Sequence, residues 1–276
     1  MIHITAHGKK IPALGFGTWD LKGGACVTGV GKAIEIGYRH IDTAQIYENE
    51  AEVGAGIKAS GVKRDDIFLT TKIWIENLRD GDLQKSLDVS LKKLAVDHVD
   101  LLLIHWPIIN IPFAEQLKAL QAVQKESKTT TIGVSNFTVA QMKEVSEKIG
   151  AKIINNQVEY HPYLAQQPLL DYVRAHDMFL TAYCPLARGK VANDTVIGKI
   201  AQKYNKTAGQ VTLRWLVQQD HVAAIPKSSS EKHIRENFEI FDFKLDDSEM
   251  KQIAALARPD GRLVNPGFAP KWDVAA

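Results

Sequence analysis

The feature that most constrains this chain is a regular alternation of short apolar runs with longer amphipathic stretches. The runs are apolar nearly throughout, which is typical of strands buried on both faces of a parallel sheet. They occupy residues 14–17, 39–42, 67–72, 99–105, 130–134, 153–158, 179–183 and 222–226. Helical patterns lie between them, and the clearest is residues 82–94, where leucines recur at spacings of four, four and three.

Strand–helix units in this number predict an α/β fold, the (β/α)8 TIM barrel. An open, doubly wound sheet produces the same alternation and stays open as the alternative. Residues 2–12 are predicted to form an N-terminal β-hairpin with its turn at Gly8. The tail after Pro259 is predicted to be an irregular C-terminal loop. Since no low-complexity linker divides the sequence, we predict one domain over residues 1–276.

Composition narrows the classes of partner. The formal net charge is +2, which gives little long-range field and favours neither a nucleic-acid nor a membrane partner. The chain has two cysteines, Cys26 and Cys184, so a reducing compartment fits better than a disulfide scaffold. The N-terminus has no signal-peptide pattern, and the most apolar stretch, residues 99–113, is too short to span a bilayer. We therefore expect a cytoplasmic protein.

Polar or aromatic residues follow several of the predicted strands. In a barrel the carboxyl ends of the strands carry the chemistry. An isolated Asp or His at a strand end is more often a cap or a satisfied core residue, but a buried lysine needs a partner. Lys72 therefore predicts a nearby carboxylate, and Asp42 is the obvious candidate. The residues at these ends are Asp42, Lys72, His105, Ser135, Asn136, Gln157 and Tyr183, with Tyr47 on the loop after Asp42.

Three tryptophans, Trp19, Trp74 and Trp106, follow the first, third and fourth strands. They suggest an apolar pocket mouth at this end of the barrel. The alternative is ordinary packing of loops on the barrel top.

With these residues in place, the sequence resembles the aldo-keto reductase superfamily from the hairpin to the tail. The resemblance rests on the order and spacing of several segments. Residues 42–47 and 70–78 are most similar to bacterial 2,5-diketo-D-gluconate reductases of the B type, which are also described as methylglyoxal reductases. The other segments are 37–44 with Tyr47, 103–107, 132–137 and 225–228.

The resemblance implies a barrel that binds NADPH across its C-terminal face, with a catalytic tetrad of Asp42, Tyr47, Lys72 and His105. Tyr47 would donate a proton to the carbonyl oxygen while hydride reaches the carbon. A free tyrosine titrates near 10, and we expect the neighbouring Lys72 ammonium to lower that pKa. Asp42 would keep Lys72 charged, and His105 would donate a hydrogen bond to the carbonyl oxygen.

The resemblance also assigns cofactor-binding residues. Three would hold the carboxamide, an aromatic would stack on the nicotinamide, a loop would cover the pyrophosphate, and a cationic cluster with hydroxyls would take the 2′-phosphate. In that order they are Ser135, Asn136 and Gln157; Tyr183; Leu186, Ala187 and Arg188; and Lys227, Ser228 and Ser230, with Glu236 and Asn237 near the adenine.

One position departs from the family pattern. Relatives often have an arginine six residues after the phosphate-binding lysine, and this chain has His233. A neutral histidine holds a phosphate less well than arginine, so we expect weaker discrimination against NADH. Arg235 lies two residues further on and would point elsewhere on a helix.

The predicted activity is NADPH-dependent reduction of small aldehydes, of 2-oxoaldehydes such as methylglyoxal, or of keto-sugar acids such as 2,5-diketo-D-gluconate. Trp19, Trp74, Trp106 and Trp272 would line the substrate pocket. The family resemblance suggests a monomer. Two alternatives stay open: a non-catalytic relative that binds nicotinamide, and a barrel isomerase or lyase acting on sugar phosphates.

Two other features, a glycine-rich segment and the histidine spacing, do not predict a binding site. Residues 54–59 match the loose dinucleotide fingerprint, but they follow a helical run rather than a strand, so we reject that interpretation. The nine histidines show no metal-ligand spacing, and we predict no metal site.

Overall fold

A computed structural model of the chain describes residues 1–273. The chain begins with the predicted hairpin, formed by strands β1 (His3–Ala6) and β2 (Lys9–Pro12), with Gly8 in the turn at positive φ. The His40 ring, at the start of a barrel strand, lies with Nδ1 3.1 Å from the Pro12 carbonyl oxygen. The hairpin therefore covers the N-terminal end of the barrel, away from the strand ends that carry the polar residues.

Eight further strands within residues 1–273 pair in parallel and in chain order. Gly15 N donates to the Ala224 oxygen at 2.9 Å, and Ala224 N donates to the Ala13 oxygen at 2.8 Å, so the last strand pairs with the segment before the first. This closure confirms the (β/α)8 barrel and excludes the open sheet. The strands are β3 (Phe16–Gly17), β4 (His40–Asp42), β5 (Phe68–Ile73), β6 (Val99–Ile104), β7 (Thr129–Ser135), β8 (Asn155–Glu159), β9 (Phe179–Tyr183) and β10 (Val222–Ala224).

Helices connect the strands and cover the outside of the barrel. Within residues 1–273 they are α1 (Gly23–Ile36), α2 (Glu50–Ala59), α3 (Asp82–Leu94), α4 (Phe113–Lys125), α5 (Val139–Lys143), α6 (Gln167–Ala175), α7 (Thr195–Tyr204), α8 (Ala208–Val217), α9 (Glu231–Phe238) and α10 (Asp247–Ala254). No helix of this described part is long and apolar enough to cross a lipid bilayer.

The predicted elements match the observed ones closely. The leucine pattern of residues 82–94 becomes α3 with the same bounds, and all four leucines are buried. Two elements differ from the prediction. β10 ends at Ala224 because Pro226 has no N–H to extend the ladder. The predicted helix 139–149 consists of α5 followed by a π-helical turn, Glu144–Lys148.

The glycine-rich segment 54–59 lies inside α2, which excludes a phosphate-binding turn. A Cβ on Gly54 would collide with the Leu94 carbonyl at the end of α3, and one on Gly56 would lie 2.7 Å from Val30 Cβ in α1. These glycines therefore allow α2 to approach its two neighbouring helices.

Replacing Gly54 with alanine is expected to lower the free energy of unfolding by about 1–3 kcal/mol, because the new methyl group overlaps backbone that cannot move freely. Gly198 in α7 is the matched control, since its Cβ would meet nothing within 4 Å. Gly198→Ala should raise stability by about 0.4–1 kcal/mol through helix propensity and the unfolded chain. Urea unfolding measures both, and equal midpoints for the two variants would contradict the packing argument.

Candidate active site

Four predicted catalytic residues meet at the C-terminal end of the barrel. Asp42 ends β4, Lys72 lies one residue before the end of β5, and His105 directly follows β6. Tyr47 ends a short 3₁₀ turn after β4. Because neighbouring parallel strands end at one rim, the order of the strands alone places these side chains together.

Lys72 is fully buried and is satisfied by three oxygens. Its Nζ lies 2.5 Å from Asp42 Oδ1, 2.8 Å from the Thr43 carbonyl oxygen and 3.4 Å from Tyr47 Oη. These acceptors match the three N–H groups of an ammonium. Burial lowers the pKa of Lys72, and the Asp42 carboxylate opposes that shift. The predicted carboxylate partner of Lys72 is thus confirmed.

The hydroxyl of Tyr47 accepts the weakest of these three bonds. Burial raises the pKa of Tyr47 well above 10, and the nearby Asp42 carboxylate adds to the effect. The prediction that this pKa is lowered is therefore wrong, because burial and the neighbouring carboxylate both raise it. Tyr47 is a protonated phenol at neutral pH. Since its oxygen accepts from Lys72, its own proton is available to another acceptor.

His105 is held as a neutral ring. Burial, and then the Lys72 cation, lower the pKa of His105 well below 6.5. Its ring meets Trp74 edge to face, with centroids 5.2 Å apart, and its Nδ1 has no hydrogen-bond partner among residues 1–273. The backbone beside the ring is fixed, because Asn136 Nδ2 donates to the His105 carbonyl oxygen at 3.1 Å.

The second oxygen of Asp42 has a partner that the sequence did not suggest. Gln157 Nε2, on β8, donates to Asp42 Oδ2 at 2.7 Å. Asp42 therefore accepts one bond from Lys72 and one from Gln157, which fixes the orientation of its carboxylate. The sequence assigned Gln157 to the cofactor alone, and no local pattern links it to a residue so far away in the chain.

A cavity of about 710 Å³ opens above these groups. Tryptophans form much of its wall, as predicted for Trp19, Trp74 and Trp106. Nine further lining residues were not assigned to the site from the sequence: Gly17, Thr18, Ile46, Cys184, Pro185, Gly189, Ile225, Pro226 and Val264. The other predicted site residues that line the cavity are Asp42, Tyr47, His105, Asn136, Gln157, Tyr183, Leu186, Arg188 and Lys227.

The predicted carboxamide site is already linked by hydrogen bonds. Tyr183 Oη donates to Asn136 Oδ1 at 2.8 Å, and Asn136 Nδ2 donates to Ser135 Oγ at 3.1 Å. Ser135 Oγ in turn donates to the Gln157 carbonyl oxygen at 2.8 Å. Asn136 has a φ of 65°, a left-handed conformation that asparagine tolerates better than most residues. The four residues therefore form one continuous hydrogen-bond network beside the cavity.

Two cations, Arg188 and Lys227, also line the cavity. Arg188 lies on the loop after β9, with its guanidinium carbon 5.9 Å from the centre of the Trp19 ring. Leu186 lines the cavity beside it, while Ala187 is buried beneath. Lys227 is exposed and follows β10. The cavity wall thus combines aromatic side chains with two cations.

The predicted cofactor residues after Lys227 lie just before α9 and along that helix, outside the cavity wall. Ser230 immediately precedes the helix, and its N–H donates to Ser228 Oγ at 3.0 Å. His233 is exposed, Glu236 is half-buried and Asn237 is buried. The structure therefore places them in line with Lys227 but not around the four catalytic candidates.

Aromatic side chains of the C-terminal tail pack against the tryptophans of the cavity wall. Phe268 meets Trp74 and Trp106 edge to face, with centroids 6.1 Å and 5.5 Å away. Trp272, predicted to line the pocket, contacts Trp106 at 6.1 Å and is not part of the cavity wall. Phe268 packs behind the two tryptophans that line the cavity, and no sequence pattern singled it out.

Comparison with known proteins identifies the family of this chain. The model of the aldo/keto reductase family matches residues 13–258, nearly the whole barrel. The chain belongs to the aldo/keto reductase family. It is 45% identical over 267 residues to the methylglyoxal reductase DkgB of Escherichia coli O157:H7, covering 95% of this chain and 99% of that protein.

Solved structures agree with the assignment. A crystal structure of a proposed 2,5-diketo-D-gluconic acid reductase B superimposes with a TM-score of 0.97 at 49% identity, covering 99% of this chain and 98% of that one. A variant of Gox0644 solved in complex with NADPH gives a TM-score of 0.90 at 34% identity, covering 96% of each chain. This aldo/keto reductase is therefore an oxidoreductase that acts on small carbonyl compounds with a nicotinamide cofactor.

Proposed function

We propose that this aldo/keto reductase uses NADPH to reduce small aldehydes, 2-oxoaldehydes such as methylglyoxal, or keto-sugar acids such as 2,5-diketo-D-gluconate, with Tyr47 as the general acid. One observation carries the proposal. The Tyr47 hydroxyl lines the cavity and accepts a hydrogen bond from Lys72 Nζ at 3.4 Å, so its proton is free for a substrate oxygen. Membership of the family argues against the isomerase or lyase. The reductase-named relatives and the complete set of four catalytic candidates argue against a non-catalytic relative.

The residues of the chain account for the proton half of the reaction. As the carbonyl carbon gains hydride, its oxygen becomes negative and takes the Tyr47 proton. The phenolate left behind is stabilised by the Lys72 ammonium, which stays charged through Asp42. A neutral His105 is suited to donate a hydrogen bond to the same oxygen and to polarise the carbonyl before transfer. The two products are an alcohol and the oxidised cofactor.

The residues present fit a dinucleotide. Reduced nicotinamide, when bound, supplies the hydride. The ring of Tyr183 lies at the cavity wall. Gln157 donates one side-chain N–H to Asp42, which leaves its side-chain oxygen Oε1 for the carboxamide of the cofactor. Arg188 and Lys227 give the cavity wall two cations suited to phosphates. We assign the remaining nucleotide contacts to Ser135, Asn136, Leu186, Ala187, Ser228, Ser230, His233, Glu236 and Asn237.

NADPH consumption tests the function directly. We expect turnover with methylglyoxal and with 2,5-diketo-D-gluconate, and the ratio of their kcat/KM values ranks the two substrate classes. The aromatic wall of Trp19, Trp74 and Trp106 supports the 2-oxoaldehydes more than the charged sugar acids. Binding of NADPH without turnover of either compound would overturn the proposed substrates. Failure to bind NADPH would overturn the proposed cofactor.

Cofactor preference depends on the exposed His233. We expect His233→Arg to raise the ratio of kcat/KM with NADPH to kcat/KM with NADH by about three- to ten-fold, because a guanidinium adds a charged contact to the 2′-phosphate. Arg235→Gln is the control, since Arg235 pairs with Glu231 at 3.6 Å on the same helix. A ratio that does not change in His233→Arg would contradict the assignment of this position.

We further propose that the protein acts as a monomer in the cytoplasm and that residues 1–276 form one domain. Sedimentation at micromolar concentration and a single unfolding transition would support the first and third of these statements. A stable dimer in sedimentation would overturn the monomer.

A further inference from the structure

Glu159 is a buried carboxylate at the rim of the barrel that the proposed chemistry does not use. It is the last residue of β8, and its side chain is 0% exposed. Side chains alternate along a strand, so Glu159 shares a face with Gln157, which contacts Asp42 in the active site. A carboxylate buried this deeply requires donors, because an unpaired charge is costly away from water.

Most of those donors come from the C-terminal tail, residues 259–273. Leu263 N donates to Glu159 Oε1 at 2.7 Å, and Val264 N donates to Oε2 at 2.9 Å. His161 Nε2 lies 2.9 Å from Oε1, and Arg262 Nη1 lies 3.9 Å from Oε2. The two carboxylate oxygens thus accept hydrogen bonds from two consecutive backbone N–H groups of the tail.

The tail is held by side-chain packing and a few polar contacts, because it contains no helix or strand within residues 259–273. Leu263 packs on the core, and Phe268 and Trp272 pack against tryptophans. Polar contacts fasten its two ends: Arg258 N donates to the Tyr163 oxygen at 3.2 Å, and Val139 N donates to Asp273 Oδ2 at 2.8 Å. Between these points, Glu159 supplies a buried polar contact of the tail.

The part of the tail next to this contact reaches the cavity wall. Val264 itself lines the cavity, and Phe268 packs against Trp74 and Trp106 four residues later. A shift of residues 263–264 would therefore move the wall that a bulky substrate touches. A small substrate near Tyr47 would touch that wall less.

The geometry points to Glu159 as a positioning residue. Its carboxylate fastens the tail over the cavity and thereby sets how well the enzyme accepts bulky carbonyl substrates relative to small ones. The specificity half of this inference rests on the carbonyl reductase function proposed above. The fastening half does not, so the two are tested by separate measurements.

Hydrogen exchange of the Leu263 and Val264 amides tests the fastening without substrate or cofactor. Glu159→Gln replaces one acceptor oxygen by an NH₂ group that faces an N–H donor, and we expect exchange at both amides to become about ten-fold faster or more. Glu249→Gln is the matched control, because Glu249 is also buried and accepts a backbone N–H, from Asp246 at 2.9 Å, in α10. The control should leave both amides protected.

Steady-state kinetics tests the specificity. In Glu159→Gln we expect kcat/KM for phenylglyoxal to fall about ten-fold through KM, while kcat/KM for methylglyoxal changes less than about two-fold. If Glu159 acts through the tail, Phe268→Ala should lower phenylglyoxal efficiency as well, and the double variant should lose less than the sum of the two free-energy changes. Additive losses would mean that Glu159 acts by another route.

Each remaining outcome decides one half of the inference. Retained protection in Glu159→Gln overturns the fastening, and lost protection with unchanged discrimination overturns the specificity. If the wild-type protein reduces neither substrate, the proposed function fails while the exchange result still judges the tail. Should Glu159→Gln not fold, Val264→Pro removes one donated N–H and leaves Glu159 intact. Compared with Val264→Ala, it should show the same faster exchange at Leu263.

Discussion

Tyr47→Phe is expected to lower kcat for methylglyoxal reduction by about 10²–10⁴-fold, the range that a positioned general acid contributes. The loss follows from the removal of a hydroxyl that accepts from Lys72 and offers its own proton to the cavity. The phenylalanine ring keeps the shape of the site, so NADPH affinity should change less than about two-fold. Single-turnover rates and a titration of NADPH fluorescence measure the two quantities separately.

The control for this variant is Tyr172→Phe. Tyr172 is also buried, but its hydroxyl donates to Glu147 at 3.2 Å on the outer helices, far from the cavity. Its removal should leave kcat within about two-fold of the wild-type value. If Tyr47→Phe retains a tenth or more of wild-type kcat, Tyr47 is not the acid, and His105 becomes the remaining candidate.

Lys72→Met is expected to lower the free energy of unfolding by about 3–5 kcal/mol and to abolish measurable turnover. The substitution leaves the Asp42 carboxylate buried at 1% exposure with one of its two charged or polar partners removed. An uncompensated buried charge costs this much, whereas the intact pair contributes little net stability. Urea unfolding followed by circular dichroism measures the change.

The double variant Asp42→Asn, Lys72→Met separates the charge from the chemistry. Removal of both charges should recover most of the lost stability, while turnover stays absent because nothing stabilises the Tyr47 phenolate. The exposed pair Lys118–Asp80, 3.0 Å apart, gives the comparison: Lys118→Met should cost less than about 1 kcal/mol. A double variant as unstable as Lys72→Met would show that the pair acts through packing rather than charge.

Much of the fold was readable because its signals are local. A strand buried on both faces needs an apolar run, and a helix on the outside needs one apolar face, so each element carries its own pattern. The run at residues 67–72 and the leucines of residues 82–94 are examples. The rim also followed, since parallel strands end together and Lys72 required the carboxylate that Asp42 provides.

Local patterns did not distinguish closed from open sheets, and they did not assign roles at the rim. Closure depends on the bonds between Ala224 and the segment before β3, which lie at opposite ends of the barrel sequence. The roles of Tyr47 and His105 came from the family resemblance. Trp272 was assigned to the cavity wall but lies outside it. An irregular tail has no periodicity from which its path can be derived.

The sequence by itself determined the alternation of strands and helices and the set of side chains at the strand ends, and the family resemblance implied the closed barrel. The tertiary structure decided the charge states and the long-range supports. Burial, a property of the whole fold, raises the pKa of Tyr47 although its lysine neighbour was predictable. Gln157 reaches Asp42 across 115 residues, and Val264 reaches Glu159 across 105. Such contacts depend on where the closed barrel brings distant segments together, and no short stretch of sequence contains that information.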